Sequence, residues 1–454
     1  MNKQRRKFVQ AAAIGGLSSF MGHTPGTVYA QSSGVSGFSD YKALVCVFLS
    51  GGNDSWNMLV PSSVSEHAAY SASRGGTGNN GLAIERSDLL EVAGSTNGVN
   101  YGFHPSMPEM RDLYNDGQCA VIANVGPLVE PTTVQQFLDQ AVGLPPELFS
   151  HNDQQGQWHS LRGDAILTSG WGGRVADVLS SQLGGQRLPT NISLSGTTLF
   201  QAGNSSMPYV MGATGSTPFN GLAEGSSLAN SFQSIANANY PNIYSRGFSA
   251  VQQRAFEFSD RVNTSLDNAV SFSALPDGDN ESILGSQLRT VAKIISQQSQ
   301  LSMSRQVFYV ELGGFDTHDN QNIEQPILLG DVSRSLNAFY EAMVEIGMQD
   351  AVTAYTNSDF GRTLSSNGDG ADHGWGGVHL AVGGSVEGGQ VYGQYPVLEM
   401  GSELDLGRGR FVPTTSCDQY AATLASWFGV NQQNLATVAP CINNFSERDL
   451  GFMS

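Results

Sequence analysis

The clearest pattern along the chain is a series of short, continuous apolar runs rich in β-branched and aromatic residues. Such runs lack the alternation of a half-exposed strand and are typical of strands buried on both faces, as in a parallel sheet. The first run is followed directly by the polar segment 50–55, which predicts polar groups at the carboxyl end of a strand. The five predicted strands are 43–49, 119–123, 307–312, 351–355 and 378–382.

Segments with apolar residues at helical spacing separate these strands. They begin near Pro105, cover 283–300 and about 327–348, and include a last segment at 420–428. Strands that alternate with helices predict an α/β fold with a mostly parallel central sheet and helices on both faces. No internal repeat interrupts this order.

One region departs from the alternation. Residues from about 184 to 244 are rich in Gly, Ser, Asn and Thr and lack clear periodicity, so we predict a long irregular insertion. Two interpretations stay open for it, a cap over a functional site and an excursion on the surface. The remaining pattern predicts a single α/β domain over 31–454.

The first thirty residues have the composition of an export signal. A basic start is followed by the apolar run 8–20, which is too short to span a membrane, and by a cleavage motif at 28–30. The pair Arg5-Arg6 resembles the twin-arginine signal. We therefore expect a periplasmic or otherwise exported protein whose mature chain begins near residue 31. The twin-arginine route, which carries folded proteins, favours a bound metal or cofactor.

The chain is strongly acidic. It has 22 basic and 40 acidic residues and a formal net charge of −18, and removal of four basic residues with residues 1–30 makes this −18 − 4 = −22. Such a charge repels phosphate backbones and anionic lipids, which excludes general nucleic-acid binding and an electrostatic membrane anchor. A small anionic substrate remains compatible, because a bound metal ion inverts the local field.

The four cysteines indicate little about function. No CxxC spacing occurs, which excludes a zinc knuckle. Cys46 and Cys119 lie in apolar runs and are predicted to be buried thiols. A disulfide between Cys417 and Cys441 stays open in an exported protein.

Aspartates and histidines cluster at the predicted strand ends. Five of the eight histidines fall in such segments. Carboxylates together with neutral imidazoles are the ligands that zinc and manganese prefer, and loops at one sheet edge converge in space although they are far apart in sequence. The segments are 51–54, 149–159, 313–319, 358–362 and 372–379.

Each segment also has a structural interpretation. An aspartate after a strand often forms a turn or caps a helix, and Asp316-Thr317-His318 fits a hydrogen-bonded turn. His379 lies in an apolar strand, where a core histidine is the alternative to a ligand. His67 and His104 are interpreted as structural.

Ser150 precedes a predicted helix, so its hydroxyl lies at the helix amino terminus, where anions are stabilised. A nearby metal ion would lower the pKa of this hydroxyl and make it a nucleophile. The alternative is an ordinary helix cap.

Taken in order, these motifs resemble the domain of unknown function 1501 family, exported bacterial proteins of the alkaline phosphatase and sulfatase-like superfamily. The resemblance covers nearly all of the mature chain. Its motifs are Leu49–Asp54, Phe103-His104-Pro105, Ser150-His151 with Gln155, Gly313–His318, Ser358–Thr363, Asp372-His373-Gly374 and Tyr420–Gly429.

The resemblance implies a two-metal hydrolase. One ion would be held by Asp54 after the first strand, by the nucleophile Ser150, and by an Asp-His pair. Asp359 stands where the aspartate of that pair belongs, but Phe360 replaces its histidine. His373 is the candidate replacement, and the alternative is that Asp372-His373 itself forms the pair.

The second ion of such a hydrolase is held by an aspartate and two histidines. Asp316 and His318 match the aspartate and one histidine, although their spacing is tighter than usual in the superfamily, and His379 would be the last ligand. The sequence contains no Cys-x-Pro-x-Arg motif of the kind that sulfatases modify, which argues against a formylglycine sulfatase.

These features predict a metal-dependent hydrolase of a phosphate or sulfate ester, with one or two zinc or manganese ions. The substrate would be a small anionic ester or a sulfated or phosphorylated polymer. Arg362 is predicted to pair with an anionic substrate oxygen, with a structural salt bridge as the alternative. The rival hypothesis is a catalytically degenerate exported binding protein with the same fold.

Overall fold

The computed structural model describes residues 37–78, 81–165, 168–216, 226–238, 240–276 and 282–454. The predicted signal peptide lies outside the described residues. Among the described residues, no helix combines the length and the apolar composition that a membrane crossing requires.

A central sheet organises the fold. Its strands follow the order β13-β5-β12-β9-β1-β8-β6-β7, and β14 also pairs with β5. All neighbouring strands are parallel except that β12 is antiparallel to both β5 and β9. Two smaller sheets, β2-β4-β3 and β10-β11, lie outside the central sheet. The strands of all three sheets are β1 (Lys42–Leu49), β2 (Leu59–Pro61), β3 (Leu90–Glu91), β4 (Tyr101–Phe103), β5 (Cys119–Gly126), β6 (Asn191–Ser193), β7 (Tyr209–Val210), β8 (Arg305–Leu312), β9 (Val352–Ser358), β10 (Arg362–Ser366), β11 (Ala371–His373), β12 (Gly377–Val382), β13 (Val391–Tyr392) and β14 (Thr415–Ser416).

Helices connect these strands, together with short 3₁₀ turns. The predicted helix near Pro105 begins at Pro108, where proline suits the first helical turn because its missing N–H has no partner to lose. The helices are α1 (Val64–Ser73), α2 (Pro108–Asn115), α3 (Val134–Leu138), α4 (His151–Ser160), α5 (Trp171–Leu179), α6 (Ser227–Ala236), α7 (Ile243–Asp267), α8 (Ile283–Ser296), α9 (Gln321–Glu345), α10 (Cys417–Phe428) and α11 (Leu435–Val438).

Each face of the sheet packs against its own hydrophobic cluster. Along β1, Val45 and Val47 join one cluster, whereas Leu44 and Cys46 join the other, because successive side chains of a strand point to opposite faces. Helices α2, α8 and α9 complete the first cluster, and α4, α5, α10 and α11 complete the second. This confirms the predicted α/β class, and all five predicted strands lie in the sheet.

The region predicted as an insertion is not irregular throughout. Its strand β6 pairs with β8 in parallel and extends the central sheet. Residues 226–238 and 240–257 form a separate compact unit that contains α6 and the first part of α7. Within this unit, Gln253 Nε2 donates to the carbonyl oxygen of Ala236 at 2.8 Å. The role of a cap stays a prediction.

The carboxyl-terminal part of the fold contains a buried carboxyl group. All four cysteines are free thiols, including Cys417 and Cys441. The neighbouring Asp418 is buried, and its Oδ1 accepts from the backbone N–H of Cys441 at 2.9 Å. Burial raises the pKa of Asp418 to about 7, although the Cys441 hydrogen bond and the charge of Arg174 act in the opposite direction.

This buried carboxyl should make stability depend on pH. The folded chain holds a proton on Asp418 up to about pH 7, whereas the unfolded chain releases it near pH ~4. The folded state therefore binds more protons in this window, and the free energy of unfolding should fall as pH rises, by up to ~1.4 kcal/mol per pH unit. Asp418→Asn keeps an acceptor for Cys441 and should remove this part of the slope.

Urea unfolding of both proteins at pH 5, 6, 7 and 8 measures the effect. The stability of the variant relative to the unsubstituted protein should rise across the series. Equal pH slopes for the two proteins would contradict the prediction.

Candidate metal centre

The central part of the sheet brings three loops to one edge. Leu49, Leu312 and Ser358 are the last residues of the adjacent parallel strands β1, β8 and β9, and they lie in register with one another. The loops that follow these strands therefore leave the sheet side by side at its carboxyl edge, where open α/β sheets place their sites. The hairpin of β10 and β11 adds Arg362 and His373, which face each other in register.

Three imidazole nitrogens converge on one carboxylate oxygen at this edge. Asp316 Oδ1 lies 3.4 Å from His151 Nε2, 3.1 Å from His318 Nε2 and 3.7 Å from His373 Nε2. The Nε2 atoms of His318 and His373 are 2.9 Å apart. Among the described residues, His151, Asp316 and His373 form the one group whose ligand atoms all lie within 4.8 Å of one another.

The other ring nitrogen of each histidine faces an acceptor. His151 Nδ1 lies 2.9 Å from Asp359 Oδ2, and His373 Nδ1 lies 2.7 Å from the carbonyl oxygen of Phe149. His318 Nδ1 lies 3.4 Å from Asp372 Oδ1. Carboxylates and carbonyls only accept, so these contacts can hold a proton on Nδ1 of each ring when Nε2, the nitrogen that faces Asp316, binds a cation.

A buried arginine fixes the central carboxylate. Arg362 has a fully buried side chain whose Nη2 pairs with Asp316 Oδ1. The same guanidinium donates to Gly51 O at 2.6 Å, Gly52 O at 2.8 Å and Ala371 O at 2.6 Å. Partial burial raises the pKa of Asp316, but the hydrogen bond and charge of Arg362 outweigh it and hold this pKa below its usual value.

Two of the histidines have opposite pKa shifts. The hydrogen bond to Asp359 raises the pKa of His151, against the effect of its partial burial. Burial lowers the pKa of His373, and the nearby charges of His151 and Arg362 lower it further. His373 therefore favours the neutral form that binds metal ions.

Glycines at the end of β1 allow the loops to approach one another. Gly51 has φ +117°, and a Cβ at this position would contact the backbone N of Asp316 and lie 2.8 Å from the carbonyl carbon of Phe315. The backbone N–H of Gly51 also donates to Asp359 Oδ2 at 2.7 Å. Only glycine combines this φ with this spacing, which explains the glycine at position 51.

Two of the predicted metal ligands lie in other surroundings. Asp54 is buried in an ion pair with Arg74 and accepts from Gln321 Nε2. His379 is buried in β12, where its ring packs edge-on against Trp158 with the centroids 4.8 Å apart. Burial lowers the pKa of His379 to about 3. The structure thus groups Asp316, His318 and His373 and leaves Asp54 and His379 in the core.

The remaining predicted residues support the cluster or flank it. Asp359 lies behind His151, with 4 % of its side chain exposed, so it orients this ring instead of sharing the central position. The nitrogens of Arg362 are all engaged by protein oxygens, which corrects the prediction that this residue pairs with a substrate and supports the salt-bridge alternative. Ser150 occupies the cap position of α4, and its Oγ donates to Asp153 Oδ2 at 2.6 Å.

His151 belongs to the cluster but is not among the ligands predicted from the sequence. Its place among the five clustered histidines is a signal for it, whereas the prediction for this segment is the neighbouring Ser150 as a nucleophile. A difference of one position at the start of α4 decides which side chain faces Asp316.

The fold and this cluster define an α/β protein with a candidate divalent-metal centre at the carboxyl edge of its sheet. The chain belongs to the family described as "Protein of unknown function (DUF1501)", whose sequence profile matches residues 41–435. No curated protein sequence matches the chain.

Several solved structures are distantly similar to this chain. Ps i-CgsB in complex with k-i-k-neocarrahexaose shares 10% identity at a TM-score of 0.33, with 89% of this chain and 77% of that chain covered. The lipoteichoic acid synthase LtaP from Listeria monocytogenes shares 8% at 0.34, with coverages of 84% and 78%. The C-terminal periplasmic domain of EcEptC from Escherichia coli in complex with Zn shares 10% at 0.29, with coverages of 76% and 74%.

The close approach at Gly51 predicts a large effect of a single methyl group. Gly51→Ala should lower the free energy of unfolding by about 3 kcal/mol or more, because the backbone of Phe315 and Asp316 has to move. Gly94 also has a positive φ but is exposed, with open space around a Cβ, so Gly94→Ala is the matched control. It should cost only about 1 kcal/mol.

Urea unfolding of the two variants compares these costs. A similar loss of unfolding free energy in Gly51→Ala and Gly94→Ala would contradict the prediction. It would mean that the cost comes from the positive φ alone and not from close contact with the backbone of Phe315 and Asp316.

Proposed function

We propose that this protein is an exported metal-dependent hydrolase of a phosphate or sulfate ester. His151, Asp316, His318 and His373 would hold one divalent cation. The observation that carries the proposal is the convergence of three imidazole Nε2 atoms on Asp316 Oδ1, with each Nδ1 facing an acceptor. Histidines whose second nitrogen is held in this way are characteristic of metal sites.

The residues fit a metal ion on two further grounds. His151 Nε2 is buried and has no hydrogen-bond partner in the described part of the chain. The Nε2 atoms of His318 and His373 face each other at 2.9 Å, an arrangement that two lone pairs avoid unless a cation or a proton lies between them. Three imidazoles and a carboxylate suit zinc or manganese.

A bound cation would withdraw charge from an ester oxygen and lower the pKa of a nearby hydroxyl or water. The chain itself supplies a hydroxyl group next to a metal ligand and a carboxylate that can accept its proton. Ser150 directly precedes the ligand His151, and its hydroxyl proton already points at Asp153 Oδ2. In the proposed step, Ser150 Oγ forms a bond to phosphorus or sulfur as Asp153 takes the hydroxyl proton, and the bond from phosphorus or sulfur to the alcohol oxygen breaks, so that this oxygen leaves as the alcohol with a proton from water. A second water then hydrolyses the seryl ester, which releases phosphate or sulfate and restores the Ser150 hydroxyl.

The proposal includes the place of action and the substrate class. The twin-arginine motif of residues 1–30 supports export to the periplasm or beyond. The substrate would be a small anionic ester or a sulfated or phosphorylated polymer, because a divalent cation attracts such groups to an otherwise acidic protein.

Metal analysis tests the centre itself. Protein purified without chelator from its export compartment should contain about one equivalent of zinc or manganese, because His151, Asp316 and His373 form one group. His373→Ala should remove most of it. Asp359→Asn should weaken metal binding by about 10- to 100-fold, because it disturbs the orientation of His151 rather than a ligand.

His67→Gln is the matched control, since His67 is a buried histidine that lies 3.0 Å from the carbonyl oxygen of Ile84 and outside the cluster. It should retain full metal content. Absence of metal from the unsubstituted protein after reloading with zinc and manganese would overturn the proposal and favour a binding protein without catalysis.

A second experiment tests the nucleophile. Once a phosphate or sulfate ester substrate is found, Ser150→Ala should lower kcat by about 10³-fold or more while metal content and folding are retained. Ser65→Ala is the control, because Ser65 likewise donates to a carboxylate near the start of a helix, Glu66 at 2.7 Å. Unchanged turnover in Ser150→Ala would assign the attack to water instead.

A further inference from the structure

A short loop beside the cluster is held rigidly. Asp405 Oδ1 accepts from the backbone N–H groups of Gly407 and Gly409, both at 2.7 Å, and Asp405 bridges to Phe411 across the loop. Residues 405–411 therefore form a closed loop, which we name the arginine loop because it carries Arg408 and Arg410.

The arginine loop is also fixed against the hairpin that carries His373. Leu364 N donates to Gly409 O and Ser365 N donates to Arg408 O, both at 3.1 Å. Gly409 has φ +71°, and a Cβ there would collide with Leu364, so glycine is required for this contact. The position of the loop relative to the cluster is thus set by backbone contacts.

Arg410 is linked to the ligand His373 in two ways. Its Nε donates to the carbonyl oxygen of His373 at 3.1 Å. Its guanidinium lies over the ring of Phe149, 4.8 Å from the centroid, and the carbonyl oxygen of Phe149 faces His373 Nδ1 at 2.7 Å. These contacts orient the plane of the guanidinium beside the metal centre.

The terminal nitrogens of Arg410 make no hydrogen bond with any residue in the described ranges of the chain. The other two arginines at the site differ in this respect. Arg362 is buried and pairs with Asp316, and Arg408 Nη2 pairs with Asp372 Oδ2 at 2.6 Å. Arg410 is therefore the guanidinium of this site that keeps a free fork of donors while its orientation is set.

We propose that Arg410 binds the tetrahedral oxyanion group of the substrate beside the metal centre, and that it makes the protein selective for phosphate or sulfate esters. The inference rests on the proposed function. A guanidinium fork donates two parallel hydrogen bonds to such a group, and the position of this guanidinium over the ring of Phe149 lowers the entropic cost of holding it in place. In a chain of net charge −18, an unpaired cation at this position favours an anionic substrate over a neutral one.

Calorimetric titration of the metal-loaded protein with inorganic phosphate and with sulfate tests the assignment. Arg410→Gln should bind the preferred anion about 10- to 100-fold more weakly, and Arg410→Lys should lie between, because a single ammonium cannot form the fork. Metal content should not change. Arg448→Gln, at an exposed arginine, is the control and should bind as the unsubstituted protein does. Tighter phosphate binding would indicate a phosphate ester, and tighter sulfate binding a sulfate ester.

Equal anion affinity of Arg410→Gln and the unsubstituted protein, at full metal content, would overturn the inference. Loss of metal from Arg410→Gln would overturn it too, because the residue would then position His373 instead of binding substrate. The same titration without metal separates the two proposals. Anion binding that depends on Arg410 in a protein that takes up no metal would support this inference while the proposed function fails.

Discussion

The ion pair between the buried Arg362 and the partly exposed Asp316 is the interaction on which the candidate centre depends. A guanidinium without exposed surface is stable only when its charge and its donors are satisfied, and here one carboxylate and three carbonyl oxygens satisfy them. Those carbonyls belong to Gly51, Gly52 and Ala371. The single side chain thus ties the end of β1 and the strand β11 to the loop that carries Asp316, and the histidines are arranged around a carboxylate that cannot rotate away.

Much of the scaffold could be predicted from the sequence. Strands buried on both faces have continuous apolar runs, which are visible in one sequence, and the helices between them have a regular period. The direction of β12 could not be predicted, because apolar runs of parallel and antiparallel strands look alike. The strand β6 has only three residues and depends on pairing with β8.

The sequence predicts which loops form the candidate site better than it predicts which side chains in those loops join the cluster. The strand-end loops that were singled out do meet, since parallel neighbours share one edge. Asp54 nevertheless lies outside the cluster, because its carboxylate forms an ion pair with Arg74 in the core. The two residues are twenty positions apart and meet through tertiary packing, so no local sequence pattern predicts their contact. Tertiary structure likewise determines that His151, and not the adjacent Ser150, faces Asp316 at the start of α4.

Phe360, which stands where the family resemblance implies a histidine, packs against two rings of the cluster. Its ring packs 4.7 Å from that of His151 and 4.6 Å from that of His373, measured between centroids. A phenyl ring at this position holds both imidazoles and offers no ligand. Together with the buried positions of Asp54 and His379, this favours one metal ion over the two that the family resemblance implies.

The charges around the centre balance in a way that favours an anionic substrate. The carboxylates of Asp316, Asp359 and Asp372 are matched in number by the guanidiniums of Arg362, Arg408 and Arg410. With neutral histidines these six side chains sum to zero, so a divalent cation bound among them would give an excess of two positive charges. A phosphate monoester dianion would neutralise both charges and a sulfate monoester, a monoanion, one of them, and either is favoured where water is partly excluded, because unbalanced charge costs most there. A net acidic chain and the proposed selectivity of its centre for anions are therefore compatible, because such selectivity depends on the charges within about one Debye length of the substrate, ~8 Å at physiological salt.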